Sequence, residues 1–426
     1  MDWNTWQAWV RAGYGRLDPI SWEAANVTLL DLVRPEVHHK VHHHWHSFPP
    51  PHPLWHPILG TLYTIIGLLS LTGNGIVLWV FSLTRSLRSG TNLLTINLAF
   101  SDLLMMLTQF PILVANCFNQ SWMLGPFACE VCGFCGALFG TVSIISLALI
   151  ALDRYRAIMS PFGSTRLSMK RAAWWVCGVW VYSVAWCVLP FLGWNQYVLE
   201  GFLISCSFDY LSDDFWSRSY VVMLFLAAYA LPLGVISYCY FYIMSSVKQH
   251  DKDILGHQRV QGEVQAVKYR NLHRREAQLS RVVLTSVFFW ALAWTPYAVV
   301  SLLGVSSWYS LLTPMATALP ALFAKLSTVY NPFIYAISHH KYRQELGRRL
   351  PWLCCILPSL SYQPSVSMQS STRSDASSIL HFFSRSSSVV SSRNEKAQSD
   401  LPSPKTLMSD MATMSFPKGF SRPMAL

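Results

Sequence analysis

Charge is what this sequence has least of. Only 12% of its 426 residues are Asp, Glu, Lys or Arg, against roughly 25% in soluble domains, which argues against a soluble fold. The first 30 residues lack a basic region followed by an apolar core, so no cleavable signal peptide is expected. What is abundant is apolar surface. Hydrophobic residues make up 52% of the chain and aromatics 14%, with 18 Trp, a composition that suits aromatic belts at the level of lipid headgroups.

Seven apolar stretches are long enough to cross a bilayer, near 57–83, 91–116, 127–152, 172–193, 219–247, 282–304 and 313–338. Lysine and arginine set their orientation. They gather in alternate connections: Arg85 and Arg88; Arg154, Arg156, Arg166, Lys170 and Arg171; Lys248 through Arg281; and Lys341, Arg343, Arg348 and Arg349. The opposing loops hold none in 110–128 or 305–312, and Arg218 alone in 194–218. The N-terminus is therefore expected outside and the C-terminus in the cytoplasm.

Against this background one charge is out of place. Lys325 is the only formally charged residue between Arg281 and Lys341, and it sits within Pro320-Ala-Leu-Phe-Ala-Lys325-Leu-Ser-Thr-Val-Tyr330-Asn331-Pro332. A lysine at a bilayer centre costs roughly 2.5–3.5 kcal/mol on insertion scales, so it marks a functional site by default. A desolvated amine is also a nucleophile toward carbonyl compounds. Snorkelling to the interface is the plain alternative, but apolar residues continue for several turns on both sides.

The flanks are polar. Residues 1–56 form an outer segment, 57–350 the helical domain and 351–426 a Ser-rich, disordered cytoplasmic tail. Asn26-Val27-Thr28 and Asn119-Gln120-Ser121 are glycosylation triplets, the second close to the membrane. His38, His39, His42, His43, His44 and His46 cluster in a Pro-rich stretch, which reads as a solvated surface segment rather than a metal site. Cys132, Cys135, Cys177, Cys187 and Cys239 fall inside spans as packing residues, and Cys117 stays unassigned. Cys129 and Cys206 both face the oxidising side and are the expected disulfide pair. Cys354 and Cys355 follow a basic amphipathic stretch, Tyr342 to Leu350, and suggest palmitoylation.

Each span also carries a polar or bulky marker: Asn74, Asp102, Asp153-Arg154-Tyr155, Trp180, Pro232 with Tyr240, Trp294-Thr-Pro296-Tyr297, and Asn331-Pro332-Phe-Ile-Tyr335. Together, across residues 57–350, they resemble rhodopsin-like (class A) G-protein-coupled receptors. Lys325, six residues before Asn331, stands at the retinal-attachment position of opsins. The loop Trp194 to Tyr210 has the opsin pattern Glu200-Gly201, Cys206, Asp209-Tyr210. Phe48-Pro49-Pro50, Pro53-Leu54-Trp55-His56 and Ser338-His-His-Lys341-Tyr-Arg343 extend the likeness to invertebrate visual opsins, particularly arthropod rhabdomeric pigments of the longer-wavelength group. No lysine lies in 103–111, where ultraviolet arthropod pigments carry one.

The resemblance implies an all-α membrane protein, a seven-transmembrane helix bundle with a short amphipathic eighth helix. It implies 11-cis-retinal bound to Lys325 as a Schiff base, in a pocket that includes Trp294, Tyr297 and Cys132. A fixed positive charge in low dielectric needs an anion. Glu200 is the choice; Glu130, at the outer end of span three, is expected to face the interface or solvent, and Asp209 to brace the loop. Cys132 occupies the span-three position that holds the counterion in vertebrate pigments and tyrosine in arthropod ones, a departure.

At the inner face Arg154 is expected to pair with Asp153 and Glu276, with Tyr155, Tyr240, Asn331, Pro332 and Tyr335 serving activation. Trp294, two residues before Pro296, is placed to pass a steric push to span six. The implied partners are a Gq-type heterotrimeric G protein, arrestin and a receptor kinase at the tail, and membrane lipid, in a photoreceptor rhabdomere membrane. The segment from Lys248 to Arg274 departs from the usual arthropod wording, so coupling follows less directly than pigment formation. Nucleic acid, a metal and enzymatic catalysis have no place in this reading. The alternatives are a retinal photoisomerase on the same fold, a receptor using Lys325 as an ion-pair anchor, and a light-driven pump.

Overall fold

Among the described residues, seven long helices and one short one carry the fold. They are α1 (Trp55–Leu83), α2 (Gly90–Asn119), α3 (Pro126–Met159), α4 (Met169–Cys187), α5, α6 (Glu263–Gly304), α7 (Pro314–Ser338) and α8 (His340–Arg349). α5 runs in three stretches, Phe215–Phe225, a π-helical turn Leu226–Ala230, and Leu231–Gly256. This computed structural model describes residues 27–159, 167–256, 263–338 and 340–351, with side chains except at 248, 250–256, 263–276, 337, 338 and 340. Asn26, Cys354, Cys355 and the Ser-rich tail lie outside the described residues, as does the side chain of Glu276.

Local chemistry sets several helix starts. The side chains of Ser89, Ser168 and Asp214 accept hydrogen bonds from the backbone N–H groups of Asn92, Arg171 and Ser217, satisfying donors that a first turn leaves open. Among the described residues, α1, α2, α3, α5 and the Ala277–Gly304 part of α6 are each long and apolar enough to cross a membrane. α4 opens on Lys170 and Arg171, and α7 contains Lys325, Asn331 and several hydroxyls, so both are less apolar. α5 and α6 run beyond their apolar stretches into the charged segment between them, because nothing breaks the helix where the apolar run ends.

Polarity is inverted relative to a soluble protein. Leu62, Ile65 and Leu69 of α1, Trp174 and Val181 of α4, Phe241 of α5 and Phe288 and Leu292 of α6 are exposed. Such a surface suits hydrocarbon, not water. Cys177 belongs to it: the thiol faces outward rather than packing inside, while Cys117, Cys132, Cys187 and Cys239 are buried. The interior holds the polar groups. Asn74 donates to the Thr328 carbonyl at 2.9 Å, and Asn331 to Asp102 Oδ2 at 2.9 Å. Asn97 donates to Ser146 Oγ at 2.8 Å and accepts from Trp180 Nε1 at 2.9 Å. Interhelical bonds of this kind contribute on average about 0.6 kcal/mol each in a membrane, and these bind α1 to α7, α2 to α7, and α2 to α3 and α4.

α3 is the central helix, packed on α2, α4, α5 and α6. The chain is not purely helical. Between α4 and α5, β1 (Tyr197–Glu200) and β2 (Ser205–Phe208) form an antiparallel hairpin with Leu199 opposite Cys206, turning through Gly201 and Leu203 in left-handed backbone (φ +60° and +57°). The Cys129–Cys206 disulfide ties this hairpin to the start of α3.

The histidine-rich stretch and the residues just before it are not a solvated surface segment. Residues 29–47 make three 3-10 turns, with Leu29, Val37 and Trp45 fully buried, and Val41 pairs in parallel with Leu199 of β1. His44 Nε2 bonds the Leu312 carbonyl at 2.7 Å, and His38 bonds the Val33 carbonyl at 2.9 Å. Apolar residues before and among the histidines carry this burial, and the histidine count hid them. Trp45→Ala should therefore lower stability by about 3–5 kcal/mol, the usual cost of emptying a buried tryptophan site, read as a lower thermal midpoint of the purified protein. An unchanged midpoint would return the segment to solvent.

Candidate functional site

An amine buried in an apolar helix needs a polar space, and α7 provides one. Lys325 lies five residues after Pro320 and seven before Pro332, and its Nζ reaches only the Ala321 carbonyl, at 3.5 Å. It opens on a cavity of about 470 Å³ that is also lined by Glu200, Gln109, Ser207, Trp294 and Tyr297. A second chamber of about 580 Å³ continues between α3, α5 and α6, lined by Val221, Leu224, Phe225, Tyr229 and Trp290. The two share Ala137, Phe208, Trp294 and Tyr297 as walls. The whole is elongated, with a reactive polar end and an apolar far end.

Glu200 is the only carboxylate lining the first cavity, and the hairpin delivers it there. β1 ends on it, and the turn that follows rests on α7, where a Cβ at Gly201 would come within 3.2 Å of Thr317 Oγ1. Its Oε2 accepts from Tyr297 at 3.1 Å and Tyr210 at 3.2 Å, and its Oε1 from Ser205 at 3.4 Å. Burial pushes the Glu200 carboxyl above the usual carboxylate range; the Lys325 charge and these three hydroxyls oppose that push. Among the described residues, no ion pair within 4.0 Å includes Lys325 or Glu200. The two face one cavity with room between them.

Trp294 donates through Nε1 to Ser327 Oγ at 3.0 Å, two residues from Lys325, and stacks on Trp290 at 5.5 Å. Tyr297 also bonds Ser207. The structure does not place Cys132 in this lining. It is buried, and Gln109 Nε2 donates to its carbonyl at 2.6 Å. Gln109 presents a polar group to the cavity, and the buried Cys132 still interacts electrostatically with Lys325. Glu130 departs from expectation too: it is half-buried and pairs with Lys40 Nζ at 2.5 Å. Asp209 braces the loop, accepting from the Leu211 and Ser212 N–H groups and from Ser212 Oγ. Sequence reasoning assigned no role to Tyr210, Ser205, Ser207 or Gln109. Tyr210 lay within a quoted motif, but nothing in its spacing showed that the hairpin would turn it onto Glu200.

At the opposite end of the bundle Asp153 and Arg154 pair at 2.5 Å, and Thr91 Oγ1 donates to Asp153 Oδ2 at 2.7 Å. Arg154 in turn donates to Thr91 at 3.0 Å. Tyr240 donates to the Ser280 carbonyl at 2.9 Å, joining α5 to α6, and Tyr155 lies against Tyr238 and Tyr242. Tyr335 is buried in the same apolar cluster as Tyr240. Pro332 crowds α1, since a Cβ at Gly73 would lie 3.0 Å from its ring. In the outer loop, Asn119 is exposed but donates to Ala115, and Ser121 of the same triplet is buried.

Seven long helices, five of them apolar enough to cross a membrane among the described residues, with a lysine-bearing cavity roofed by a disulfide-tied hairpin, define a seven-helix membrane protein. Residues 73–335 match the 7 transmembrane receptor (rhodopsin family), and the chain belongs to that family. It is 42% identical over 332 residues to the lateral eye opsin of Limulus polyphemus, covering 78% of this chain and 88% of that protein. A rhodopsin of Sphodromantis sp. is 41% identical over 331 residues, with 78% and 88% covered. The crystal structure of squid rhodopsin superposes with a TM-score of 0.71 at 36% identity, covering 78% of this chain and 93% of that one. These relatives are invertebrate opsins, so the protein is a multi-pass membrane receptor of their kind with a G protein as partner, and not an enzyme.

One contact in the site gives a direct test. A Cβ at Gly140 would stand 2.6 Å from Trp294 Cη2, whereas a Cβ at Gly136 meets nothing closer than 3.6 Å. Gly140→Ala should cost about 1–3 kcal/mol by overpacking, and Gly136→Ala little, measured as thermal midpoints side by side. Equal effects would show that Trp294 does not rest on α3.

Proposed function

We propose that this protein is a light-sensing receptor that holds retinal covalently at Lys325. The single observation that carries this is the buried amine at the polar end of an elongated, otherwise apolar cavity, with one buried carboxylate facing it. Condensation of the Nζ amine with the retinal aldehyde forms a C=N bond and releases water, and Lys325 and Glu200 both line the cavity in which that linkage would lie. Retinal, when bound, supplies the chemistry of light absorption: a photon-driven change of shape, from 11-cis on this reading.

The chain's own residues do the rest. Glu200, steadied by Tyr297, Tyr210 and Ser205, supplies the anion that keeps a proton on the linkage nitrogen; without it the charge would be uncompensated in low dielectric. The apolar walls of the second chamber exclude water and take the ring end. Trp294 touches both spaces and sits two residues before Pro296 inside α6, so pressure on its ring acts at a kink. Motion of the inner half of α6 would have to break the Tyr240–Ser280 bond and open a cleft beside Arg154. A ligand already in place that changes its own preference shifts a two-state equilibrium without diffusion.

On the same reading the N-terminus is extracellular, Asn26 and Asn119 are the glycan acceptors and Cys354 and Cys355 the palmitoylation sites. The tail from 351 is the ground for a receptor kinase and arrestin, the G protein is of Gq type, and the membrane is that of a photoreceptor rhabdomere, with longer-wavelength absorption.

Reconstitution with 11-cis-retinal tests this. The wild type should show a visible difference band and Lys325→Ala none; a colourless wild type, or a coloured mutant, would sink the proposal. Glu200→Gln should move absorption to shorter wavelength, in the dark or after illumination, and an unchanged spectrum would remove Glu200 from the counterion role. Light-stimulated calcium release in cells distinguishes Gq signalling from a photoisomerase, which would turn over retinal without it.

A further inference from the structure

Two neighbouring residues of the N-terminal segment grip both sides of the roof over the cavity. Lys40 ion-pairs with Glu130 at 2.5 Å, and Val41 pairs in parallel with Leu199. Glu130 follows Cys129, which is bonded to Cys206, and Cys206 lies opposite Leu199 in the hairpin. The links close on themselves: Lys40 to Glu130, Cys129 to Cys206, Leu199 to Val41, and back to Lys40. The residue after Leu199 is Glu200.

A ring of this kind restrains more than its separate bonds do. The disulfide fixes β2 to α3, and β1 is held by its pairing with β2, by Tyr197 on the Cys187 carbonyl and by Glu200 on Tyr297. The N-terminal segment adds a further fastening on the free edge of β1, one residue from the carboxylate. The Lys40 side chain is only 11% exposed. Removing one partner of such a pair leaves an uncompensated charge in a poorly solvated place, so the segment must lift for the survivor to reach water. The rest of the segment supports the grip from beyond: Trp45 is buried, and His44 bonds the loop between α6 and α7 at Leu312.

We propose that Lys40 is a positioning residue for Glu200, its ion pair with Glu130 closing the ring that sets the counterion strand over Lys325. This rests on the reading of Glu200 as counterion given above. In this proposal the ionic link sets register more than it adds stability, since desolvation offsets much of the attraction of a partly buried pair, and it aligns the segment so that Val41 meets Leu199 and no other residue of β1.

The test uses the full-length pigment with Lys40→Met, Glu130→Gln and the reversed pair Lys40→Glu/Glu130→Lys. Each single variant should move the absorption maximum in the same direction as Glu200→Gln, by less. Each should also speed amide hydrogen exchange at residues 197–200 by at least about tenfold, the change that about 1.4 kcal/mol of lost strand protection produces. The reversed pair should bring both readings back toward wild type. Single variants with unchanged absorption and a protected 197–200 would overturn the proposal, as would loosening confined to residues 29–48. A reversed pair that behaves like the single variants, or fails to fold, would overturn it too. Should the wild type form no pigment, the counterion reading fails by itself. Exchange at 197–200 in the Lys40→Met apoprotein then still decides whether the ring holds β1.

Discussion

The structure depends on placing one lysine side chain inside a low-dielectric bundle. Lys325 cannot reach either end of α7, and an isolated charge there is unfavourable by several kcal/mol. On the function proposed above, the balancing carboxylate comes in from the roof instead of from a neighbouring helix. The hairpin between α4 and α5, its disulfide to α3 and the three hydroxyls on Glu200 hold that carboxylate in place. The same function accounts for the space between the two groups. A direct ion pair would satisfy both charges and leave no reason for a cavity; a shared cavity leaves the amine free to form a bond and the carboxylate free to balance the product.

Below that site the interior is organised by a few polar contacts between helices whose outer surfaces are greasy. Asn74, Asp102, Asn97 and Asn331 find partners across helix boundaries, since in hydrocarbon an unpaired amide or carboxyl has nothing else to bond. The Trp294–Ser327 bond couples α6 to the lysine helix, and the Tyr240–Ser280 bond couples α5 to the inner half of α6. Both are single hydrogen bonds. They hold a resting arrangement without making it costly to leave.

Much of this was legible in the sequence because membrane burial leaves coarse marks. Apolar runs of helix length, basic residues on one side, and a lone lysine six residues before Asn331 needed no tertiary information, and two outer-face cysteines sufficed to expect the disulfide. Side-chain direction was not legible. Cys132 and Gln109 lie on different helices, and only their packing brings Gln109 Nε2 to the Cys132 carbonyl and its amide into the cavity lining. The N-terminal segment was misread because its histidines dominate the composition, while burial is carried by Leu29 and Val37 before them and by Val41 and Trp45 between them. Glu130 looked like a surface carboxylate because its partner, Lys40, is 90 residues away in the chain. Cys177 looked like an interior residue because, inside a span, nothing in the sequence distinguishes the lipid-facing side of α4 from the packed side.

The central claim is chemical, that a carbonyl ligand joins the protein at one lysine. Its most direct test is reductive trapping. The protein, incubated with 11-cis-retinal in the dark, is treated with borohydride, digested and mapped by mass spectrometry. A retinyl group on the peptide containing Lys325, and on no other lysine, is the result predicted here. A stable adduct at another lysine, or none at Lys325 when retinal is in excess, would contradict the account.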